Sequence, residues 1–455
     1  MKEVTEEQIK KDLLEKIENR DEAATRDLLN GIHPADIAEL IRELNTEEAV
    51  FVISLLDEEA AADTLMELDE DDRHKLLEHI PNQDIARLFV QNLDTDDAVD
   101  LIQELDKEDQ EEVLSHVDDV EQAGSIVDLL KYDEDTAGSL MGTEMIVVNE
   151  NWSMPECIKR MREQAEEMDE IYYVYVVDDD NKLKGILPLK TLITHPSVSK
   201  IKHIMETEPI SVKTDEPIDD IIISFEKYNL AVMPVVDSIG RLVGRITFDD
   251  VMDEAREQSD RDYQLASGLS KDVETRDTVL YQTKARLPWL LIGMIGGLAS
   301  SLVLGGFDES FVTNPIMALF IPLIGGTGGN VGIQSSAIVV QGLANGTLDL
   351  KDSSVAIFKE IGIALINASI ISLLVFLYNY FFFITGVEQS IMMSVAVSLS
   401  LFAVIMFAAI FGTLVPLLLE KVKIDPAIAT GPFITITNDI IGMMIYMLVI
   451  SYLLP

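Results

Sequence analysis

The last apolar stretch of the chain begins with Asp425-Pro-Ala-Ile-Ala-Thr-Gly-Pro-Phe-Ile-Thr-Ile-Thr-Asn-Asp439 and continues in apolar residues to Pro455. It is long enough to cross a bilayer, which takes roughly 20 apolar residues. Asp439 lies near its middle, where a charge costs at least about 2.5–3.5 kcal/mol on insertion scales. No base occurs within another apolar stretch to pair with it, so we predict that Asp439 lines an ion pore. The alternative is a protonated Asp439 that is hydrogen-bonded within a helix bundle.

Four more apolar stretches precede this one, so the sequence predicts five membrane-spanning helices. They cover about 287–307, 311–345, 361–385, 390–419 and 426–454. Every second connection carries bases, namely Lys284 and Arg286, Lys351 and Lys359, and Lys421 and Lys423, whereas 305–310 and 386–390 carry none. Basic loops stay in the cytoplasm. We therefore expect a multi-pass protein of the plasma (inner) membrane, with its N-terminus inside and its C-terminus outside.

Polar residues recur inside the second and last spans. Span two contains Pro322-Leu-Ile-Gly-Gly-Thr-Gly-Gly-Asn330-Val-Gly-Ile-Gln334. Its glycines either let helices approach closely or break the helix and expose carbonyls, and Asn330 and Gln334 add amide oxygens that packing does not need. The last span adds further polar side chains beside Asp439, namely Thr430, Thr435, Thr437 and Asn438.

One carboxylate per chain is too little charge to strip a divalent cation of its water. Two copies facing each other across a symmetry axis would supply two charges and room for a hydrated ion, and Mg²⁺ is the ion that most resists dehydration. We therefore expect a homodimer in the lipid bilayer with Asp439 in its pore, and Asn330 as a second pore residue.

The negative charge lies almost wholly before the spans. Of 80 acids and 34 bases, only nine and four follow Arg286, so the preceding part carries about −41 of the −46 net charges. Such a surface attracts cations and repels nucleic acid, although acid-rich soluble proteins share it. One cysteine excludes an internal disulfide and a multi-thiolate metal site. The hydrophilic start of the chain predicts no cleaved signal and a cytoplasmic soluble half.

Two repeats divide the soluble half. In the predicted N domain (1–131), helix starts recur after Leu44, Leu56, Leu68, Ile80, Leu93 and Leu105, at steps of 12, 12, 12, 13 and 12 residues. Cap residues and first-turn acids start each short helix, and helices this short must stack into a superhelix. We interpret Asp94, Asp96, Asp97 and Asp100 mainly as caps and solvated surface; they would become metal ligands only against a second acidic surface.

The second repeat consists of two similar copies that lie 59 residues apart in the sequence. Tyr173–Asp178 and Leu183–Leu187 correspond to Val232–Asp237 and Leu242–Ile246, and each pair of strands follows a helical pattern. This resembles the cystathionine-β-synthase (CBS) domain pair, with copies at 132–200 and 201–256. The resemblance implies an adenine-nucleotide site, of ATP type, at Gly244, Thr247 and Asp250 of the second copy; the first copy lacks the motif, and a purely structural pair is the alternative. A helical pattern from Val251 to about Thr283 predicts a connecting helix, assigned to 257–284.

Together with the membrane domain (285–455), the parts make a multi-domain membrane protein: an all-α superhelical N domain, an α/β CBS pair, a long connecting helix and an all-α domain of five transmembrane helices. In the order of these parts and in several membrane motifs, the chain resembles the MgtE family of magnesium channels. The motifs are Gly326-Thr-Gly-Gly-Asn330, Asp425-Pro-Ala, Pro432 and Asn438-Asp439-Ile-Ile-Gly442. The resemblance implies a homodimeric Mg²⁺-selective importer that closes at high cytoplasmic Mg²⁺.

The same resemblance implies which acids sense Mg²⁺. They fall on Asp219 and Asp250 in the second CBS copy, on Asp253 and Asp262 in the connecting "plug" helix, on Asp425, and on Asp94 and Asp97 in the N domain. This sequence departs from the family where Asn229, Gln258 and Arg261 replace expected acids, which implies fewer ligands.

Other classes of function remain open at this stage. An ion-coupled secondary transporter would use Asp439 as a proton or cation site, and a membrane-anchored sensor would transport nothing. The sequence contains no phosphate loop, phosphorylated-aspartate motif or hydrolytic constellation, so we predict that the protein is not an enzyme.

Overall fold

The computed structural model describes residues 11, 13–165, 168, 171–271, 273, 277–348, 350–382, 388–429 and 431–454. The chain divides into two compact units, Met1–Asp253 and Glu254–Pro455. Together they contain the predicted helical N domain, the pair of sheets and five long apolar helices, which confirms the predicted fold class. Thr430 and positions 383–385 of the predicted third span lie outside the described residues.

Short helices at the predicted steps form the N domain. Asn45 opens one with a capping box, in which its side chain accepts from the Glu48 N–H at 3.1 Å and the Glu48 carboxylate accepts from the Asn45 N–H at 3.3 Å. Asp57 opens the next by accepting from the Ala60 N–H at 2.9 Å. Three other acids at cap positions make no side-chain cap bond: Asp69, Asp94 and Asp106.

The helices stack side by side, and most contact the helix two places further along the chain. They are α1 (Glu22–Leu29), α2 (Pro34–Ile41), α3 (Thr46–Leu55), α4 (Glu58–Met66), α5 (Glu70–Leu77), α6 (Asn82–Leu88), α7 (Thr95–Gln103), α8 (Lys107–Ser115) and α9 (Val120–Leu129). Their apolar faces are fully buried at Val52, Leu65 and Leu101. Arg73 of α5 also forms a largely buried ion pair with Glu104 at the end of α7. The two charges must be paired, because an isolated buried charge is strongly destabilising.

Two mixed sheets follow. The first has the order β1 (Ile146–Asn149), β2 (Tyr173–Val177), β3 (Leu183–Pro188) and β4 (Glu206–Thr207), and the second has β5 (Val212–Lys213), β6 (Val232–Val236) and β7 (Leu242–Thr247). Helices α10 (Met154–Gln164) and α12 (Ile218–Tyr228) precede the central strands, and α11 (Leu189–Thr194) follows β3. Strand β2 in the first sheet and strand β6 in the second each pair in parallel with the strand before them and antiparallel with the strand after them. Both antiparallel pairs have a bulge at the equivalent position. The predicted duplication is thus confirmed.

Helix α13 (Phe248–Ala266) leaves the second sheet directly and ends sooner than predicted. Gly268 has a φ of +82°, its N–H bonds to Leu265 O at 3.0 Å, and the Leu269 N–H bonds to Gln264 O at 3.0 Å. This is a Schellman C-cap, whose left-handed residue is usually glycine. The prediction of one continuous helix to about Thr283 is therefore wrong, because apolar periodicity continued across a turn.

Five helices of the second unit are long and apolar enough to cross a membrane, which confirms the predicted number. The helices of this unit are α14 (Val279–Gly305), α15 (Asp308–Thr313), α16 (Ile321–Ala344), α17 (Ser353–Phe382), α18 (Glu388–Lys421) and α19 (Gly431–Leu453). The first and third begin before the predicted spans, because polar turns extend them beyond the apolar core; Thr278, for example, caps α14 by accepting from the Tyr281 N–H at 3.3 Å.

The last helix packs against several others in this unit. Helix α19 packs against α14, α16 and α18. Tyr446 is fully buried, and its hydroxyl donates to the carbonyl of Met317 at 2.8 Å. The helix that carries Asp439 is therefore held from several sides.

Candidate cation sites

Helix α7 presents acids at its start. Asp94 is its N-cap residue, and Asp96 and Asp97 lie in its first turn. Free amides and the helix dipole favour carboxylates at this end of a helix. Thr95, between them, is buried, so this turn lies against other parts of the first unit.

Thr95 joins α7 to the segment before β1. Its N–H donates to Glu144 Oε1 at 3.2 Å, and its hydroxyl donates to Glu144 Oε2 at 3.1 Å. The Thr143 N–H donates in turn to Thr95 Oγ1 at 2.9 Å. Gly142 allows this close approach, because a Cβ there would lie 2.9 Å from Asp96 Oδ2. These contacts place Glu144 among the acids of α7.

Five carboxylates meet here, and we term Asp94, Asp96, Asp97, Glu144 and Asp250 the acidic group. Carboxylate oxygens of Asp94, Asp96 and Glu144 lie within 4.8 Å of one another. The charge of Asp250 acts on both Asp96 and Asp97. Carboxylate oxygens are the ligands that hard divalent cations such as Mg²⁺ and Ca²⁺ prefer, so the donor set fits such an ion.

Burial and mutual repulsion make Asp96, Asp97 and Asp250 hard to ionise together. Burial first, and then the charge of Asp250, raises the pKa of Asp96 well above its usual range. The same causes raise the pKa of Asp97 to about 7. Burial also raises the pKa of Asp250, although hydrogen bonds from Thr247 oppose this rise. A bound divalent cation would neutralise the group and release its protons.

Two arginines approach the acidic group. Arg245 of β7 places Nη2 3.3 Å from Asp94 Oδ2. Arg73 lowers the pKa of Asp97 through its charge, but its guanidinium is paired with Glu104. Arg245 is thus a basic side chain that contacts a member of the group directly.

The structure brings together three of the predicted sensing residues, Asp94, Asp97 and Asp250. Asp219 and Asp253 are exposed. In the second unit, Asp262 is half-buried, and Asp425 is exposed and accepts from the Ala427 N–H at 2.8 Å, which caps a short 3₁₀ helix, Pro426–Ala429. A sensing role for these four stays a prediction.

Sequence reasoning missed Asp96 and Glu144 as members of the group, as well as Arg245. The sequence does hold one signal: Leu242-Val-Gly-Arg-Ile246 is an apolar strand interrupted by an arginine. A buried arginine requires an acidic partner.

The predicted nucleotide residues are engaged with other parts of the chain. A Cβ on Gly244 would lie 2.7 Å from Met141 Sδ. Asp250 accepts from both the N–H of Thr247, at 3.0 Å, and its hydroxyl. A nucleotide site at Gly244, Thr247 and Asp250 stays a prediction.

Asp439 faces the glycine-rich side of span two. A Cβ on Gly325 would lie 3.2 Å from Asp439 Oδ1, so glycine there leaves space beside the carboxylate. Asn438 is buried and donates to the Gly328 carbonyl at 3.3 Å, which fixes the two helices together. Asn330 is exposed on another face of α16, and a place for it in the pore stays a prediction.

The end of the connecting helix touches the start of the last span. A Cβ on Gly268 would lie 2.5 Å from Pro432 Cγ, and one on Gly431 would clash with the carbonyl oxygen of Ala266. Gly431 itself has a φ of +48°. Asp439 follows Gly431 by about two helical turns. The end of α13 and the start of α19 are therefore in close contact.

Comparison with known proteins covers nearly the whole chain. The family model of the MgtE intracellular N domain matches residues 32–135, and the CBS domain model matches 137–197 and 201–257. The model named MgtE, a divalent cation transporter, matches 321–449. These matches follow the predicted order of parts.

Individual proteins agree with the family models. The magnesium transporter MgtE of Thermus thermophilus is 31% identical over 99% of this chain and 99% of its own length. The crystal structure of the soluble part of a magnesium transporter is 29% identical, with a TM-score of 0.51, and covers 56% of this chain and 99% of that one. The cytosolic domain of the Mg²⁺ channel MgtE in complex with ATP is 33% identical, also with a TM-score of 0.51, and covers 53% and 98%. The chain therefore belongs to the MgtE family of divalent cation transporters.

Proposed function

We propose that the protein is a homodimeric, Mg²⁺-selective channel that imports magnesium across the plasma membrane and closes when cytoplasmic Mg²⁺ fills the acidic group. The acidic group carries the proposal, because its carboxylates come from the N domain, from the segment before β1 and from the start of α13. An ion bound among them would hold these parts together, and their repulsion would separate them without it. The names of the relatives support Mg²⁺ as the ion.

In this proposal Asp439 holds the hydrated ion in the pore. Its position on the last span, which packs against several other helices, and the space left by Gly325 support this role. A second copy would supply the second carboxylate and would bring the exposed Asn330 toward the pore. The alternation of basic and base-free loops supports a cytoplasmic N-terminus and a C-terminus outside.

Helix α13 would transmit closure. It starts beside the acidic group at Thr247 and Asp250, and it ends against Gly431 and Pro432. Its acids Asp253 and Asp262, together with Asp219 and Asp425, would add further cytoplasmic ligands. Filling these sites would fix α13 and thereby the start of α19.

The test is single-channel recording of the purified protein in a bilayer, with Mg²⁺ as the permeant cation and its cytoplasmic concentration raised stepwise. We expect unitary currents that close. The double variant Asp97→Asn with Asp250→Asn should conduct equally but close at a Mg²⁺ concentration at least about tenfold higher, since two of five charges are lost. Asp106→Asn, at the cap position of α8 outside the group, is the matched control.

Two outcomes would overturn parts of the proposal. Unchanged closure in the double variant would remove the acidic group from gating. Saturable, pH-dependent flux without unitary currents would favour the alternative, an ion-coupled secondary transporter that uses Asp439 as a proton or cation site. We propose no enzymatic activity, since the family is one of transporters.

We also propose that a nucleotide such as ATP acts through the second CBS copy, supported by the ATP complex of the 33% identical relative. Binding at Gly244, Thr247 and Asp250 would have to break the bonds between Thr247 and Asp250. Equilibrium dialysis with labelled ATP, using Thr247→Ala, tests this: equal binding by the variant would exclude that residue.

A further inference from the structure

Arg245 is an unusual residue for its place in the fold. It lies in β7, where its N–H and carbonyl each bond to Gly142 at 2.9 Å, and its neighbours Gly244 and Ile246 are buried. Its side chain is about nine-tenths buried, with a relative exposure of 10%. Burying a guanidinium is costly unless acids surround it, so its surroundings must explain why it is there.

The guanidinium points into the acidic group. Nη2 donates to Asp94 Oδ2 at 3.3 Å, and the charge of Arg245 also acts on Asp250. Its Nε is buried and has no hydrogen-bond partner among the described residues. Arginine keeps its charge at every relevant pH. The group therefore contains a permanent cation that is covalently attached to the chain.

We propose that Arg245 is a tethered competitor of Mg²⁺, which neutralises part of the acidic group when the metal is absent and raises the Mg²⁺ concentration needed to fill it. This inference rests on the proposed function, namely that the acidic group binds Mg²⁺. An incoming Mg²⁺ must draw Asp94 away from the guanidinium or bind close to a positive charge. Either way, Arg245 weakens binding and sets the working range of the sensor.

If Arg245 had a different role, its removal would change the affinity for Mg²⁺ in the opposite direction. If Arg245 only positioned Asp94 for the metal, removing it would weaken Mg²⁺ binding. If it competes, removing it strengthens binding, because the group gains one net negative charge. One substitution therefore separates the two roles.

The experiment uses the purified full-length protein in lipid nanodiscs and measures protection of the N domain from a protease as Mg²⁺ is raised, which does not depend on transport. Arg245→Met keeps an unbranched apolar stem and removes the guanidinium. We expect its half-protection concentration to fall roughly tenfold, the effect of one unit charge at close range. Arg245→Lys, which keeps the charge, should stay within about threefold of the parent. Arg241→Met, exposed on the same hairpin, should change nothing.

Each result has a distinct meaning. Protection of the parent protein by Mg²⁺ with an unchanged or higher midpoint in Arg245→Met would overturn the competitor role alone. Absence of Mg²⁺-dependent protection in the parent would overturn the sensor in the proposed function. Thermal unfolding in chelator verifies the fold, and if Arg245→Met is unfolded, Arg245→Gln, which retains hydrogen-bond donors without the charge, replaces it under the same criteria.

Discussion

The two candidate cation sites differ in the number of their carboxylates and in how far the negative charge is compensated by neighbouring groups. The acidic group gathers five carboxylates around Thr95, Thr247 and one arginine, so its charge is large and already partly compensated. Asp439 is a single carboxylate on a helix packed among other long helices, and the five apolar stretches predicted from the sequence contain no base. A crowded, compensated group suits a cation that stays bound and changes the arrangement of the chain. A lone carboxylate suits one that must also leave, as conduction requires.

Removing the lone charge should have the largest effect, because nothing in the spans replaces it. Asp439→Asn keeps the shape of the side chain, and we expect Mg²⁺ flux to fall by on the order of 100-fold, about 2.7 kcal/mol. The measurement is Mg²⁺ uptake into proteoliposomes, with size-exclusion light scattering to verify the assembly. Asp308→Asn, which removes an acid from the start of α15, is the control. Undiminished uptake by Asp439→Asn would place the pore elsewhere.

The second largest effect should come from disturbing the close packing of α16 against α19 in the membrane unit. A Cβ on Gly332 would clash with Asn438 Nδ2 and lie 2.7 Å from Ile434 Cγ2. Overpacking costs roughly 1–3 kcal/mol, so Gly332→Ala should lower the thermal unfolding midpoint and reduce flux. At Gly362, on α17, a Cβ would meet nothing within 4 Å. Gly362→Ala should therefore leave the midpoint unchanged or raise it, and equal loss in both variants would refute the packing argument.

Local patterns were enough to predict most of the fold. The steps between cap residues in the N domain, the displacement between the CBS copies and the number of spans all follow from periodicity and composition. The turn at Gly268 was missed, because apolar residues on both sides kept the helical period. Its conformation depends on a left-handed glycine that periodicity does not register.

The candidate site was only half predictable. Asp94, Asp97 and Asp250 came from resemblance to a family, whereas Asp96 was interpreted mainly as a helix-start acid. Glu144 lies 49 positions from Thr95, the residue that binds it, and no local pattern marks such a pairing. Arg245 was visible in the sequence, but its acidic partner is 151 positions away. Tertiary contact, not propensity, assembles this group.

The assembly of the acidic group depends on a glycine, which gives a third prediction. In Gly142→Ala the new Cβ would lie 2.9 Å from Asp96 Oδ2 and 3.1 Å from Glu144 Oε2, which pushes the two carboxylates from their positions. We expect the Mg²⁺ concentration for half-protection of the N domain to rise several-fold. Gly124→Ala on α9, where a Cβ meets nothing within 4 Å, is the matched control. A midpoint unchanged by Gly142→Ala would show that these oxygens do not bind the ion.

The smallest effect should be the pH dependence of folding stability around the metal-free acidic group. The folded chain keeps protons on Asp96, and on Asp97 with its pKa of about 7, where the unfolded chain has lost them. Unfolding thus releases protons, so stability falls as pH rises from about 4 to about 7. Hydrogen exchange of α7 amides in chelator should show opening at least about 1 kcal/mol easier at pH 7 than at pH 6, since each retained proton contributes up to about 1.4 kcal/mol per pH unit. Asp97→Asn should flatten this slope, as should Mg²⁺, since the ion displaces the same protons. Protection that rises with pH in metal-free protein would contradict the buried, mutually repelling carboxylates on which the comparison of the two sites depends.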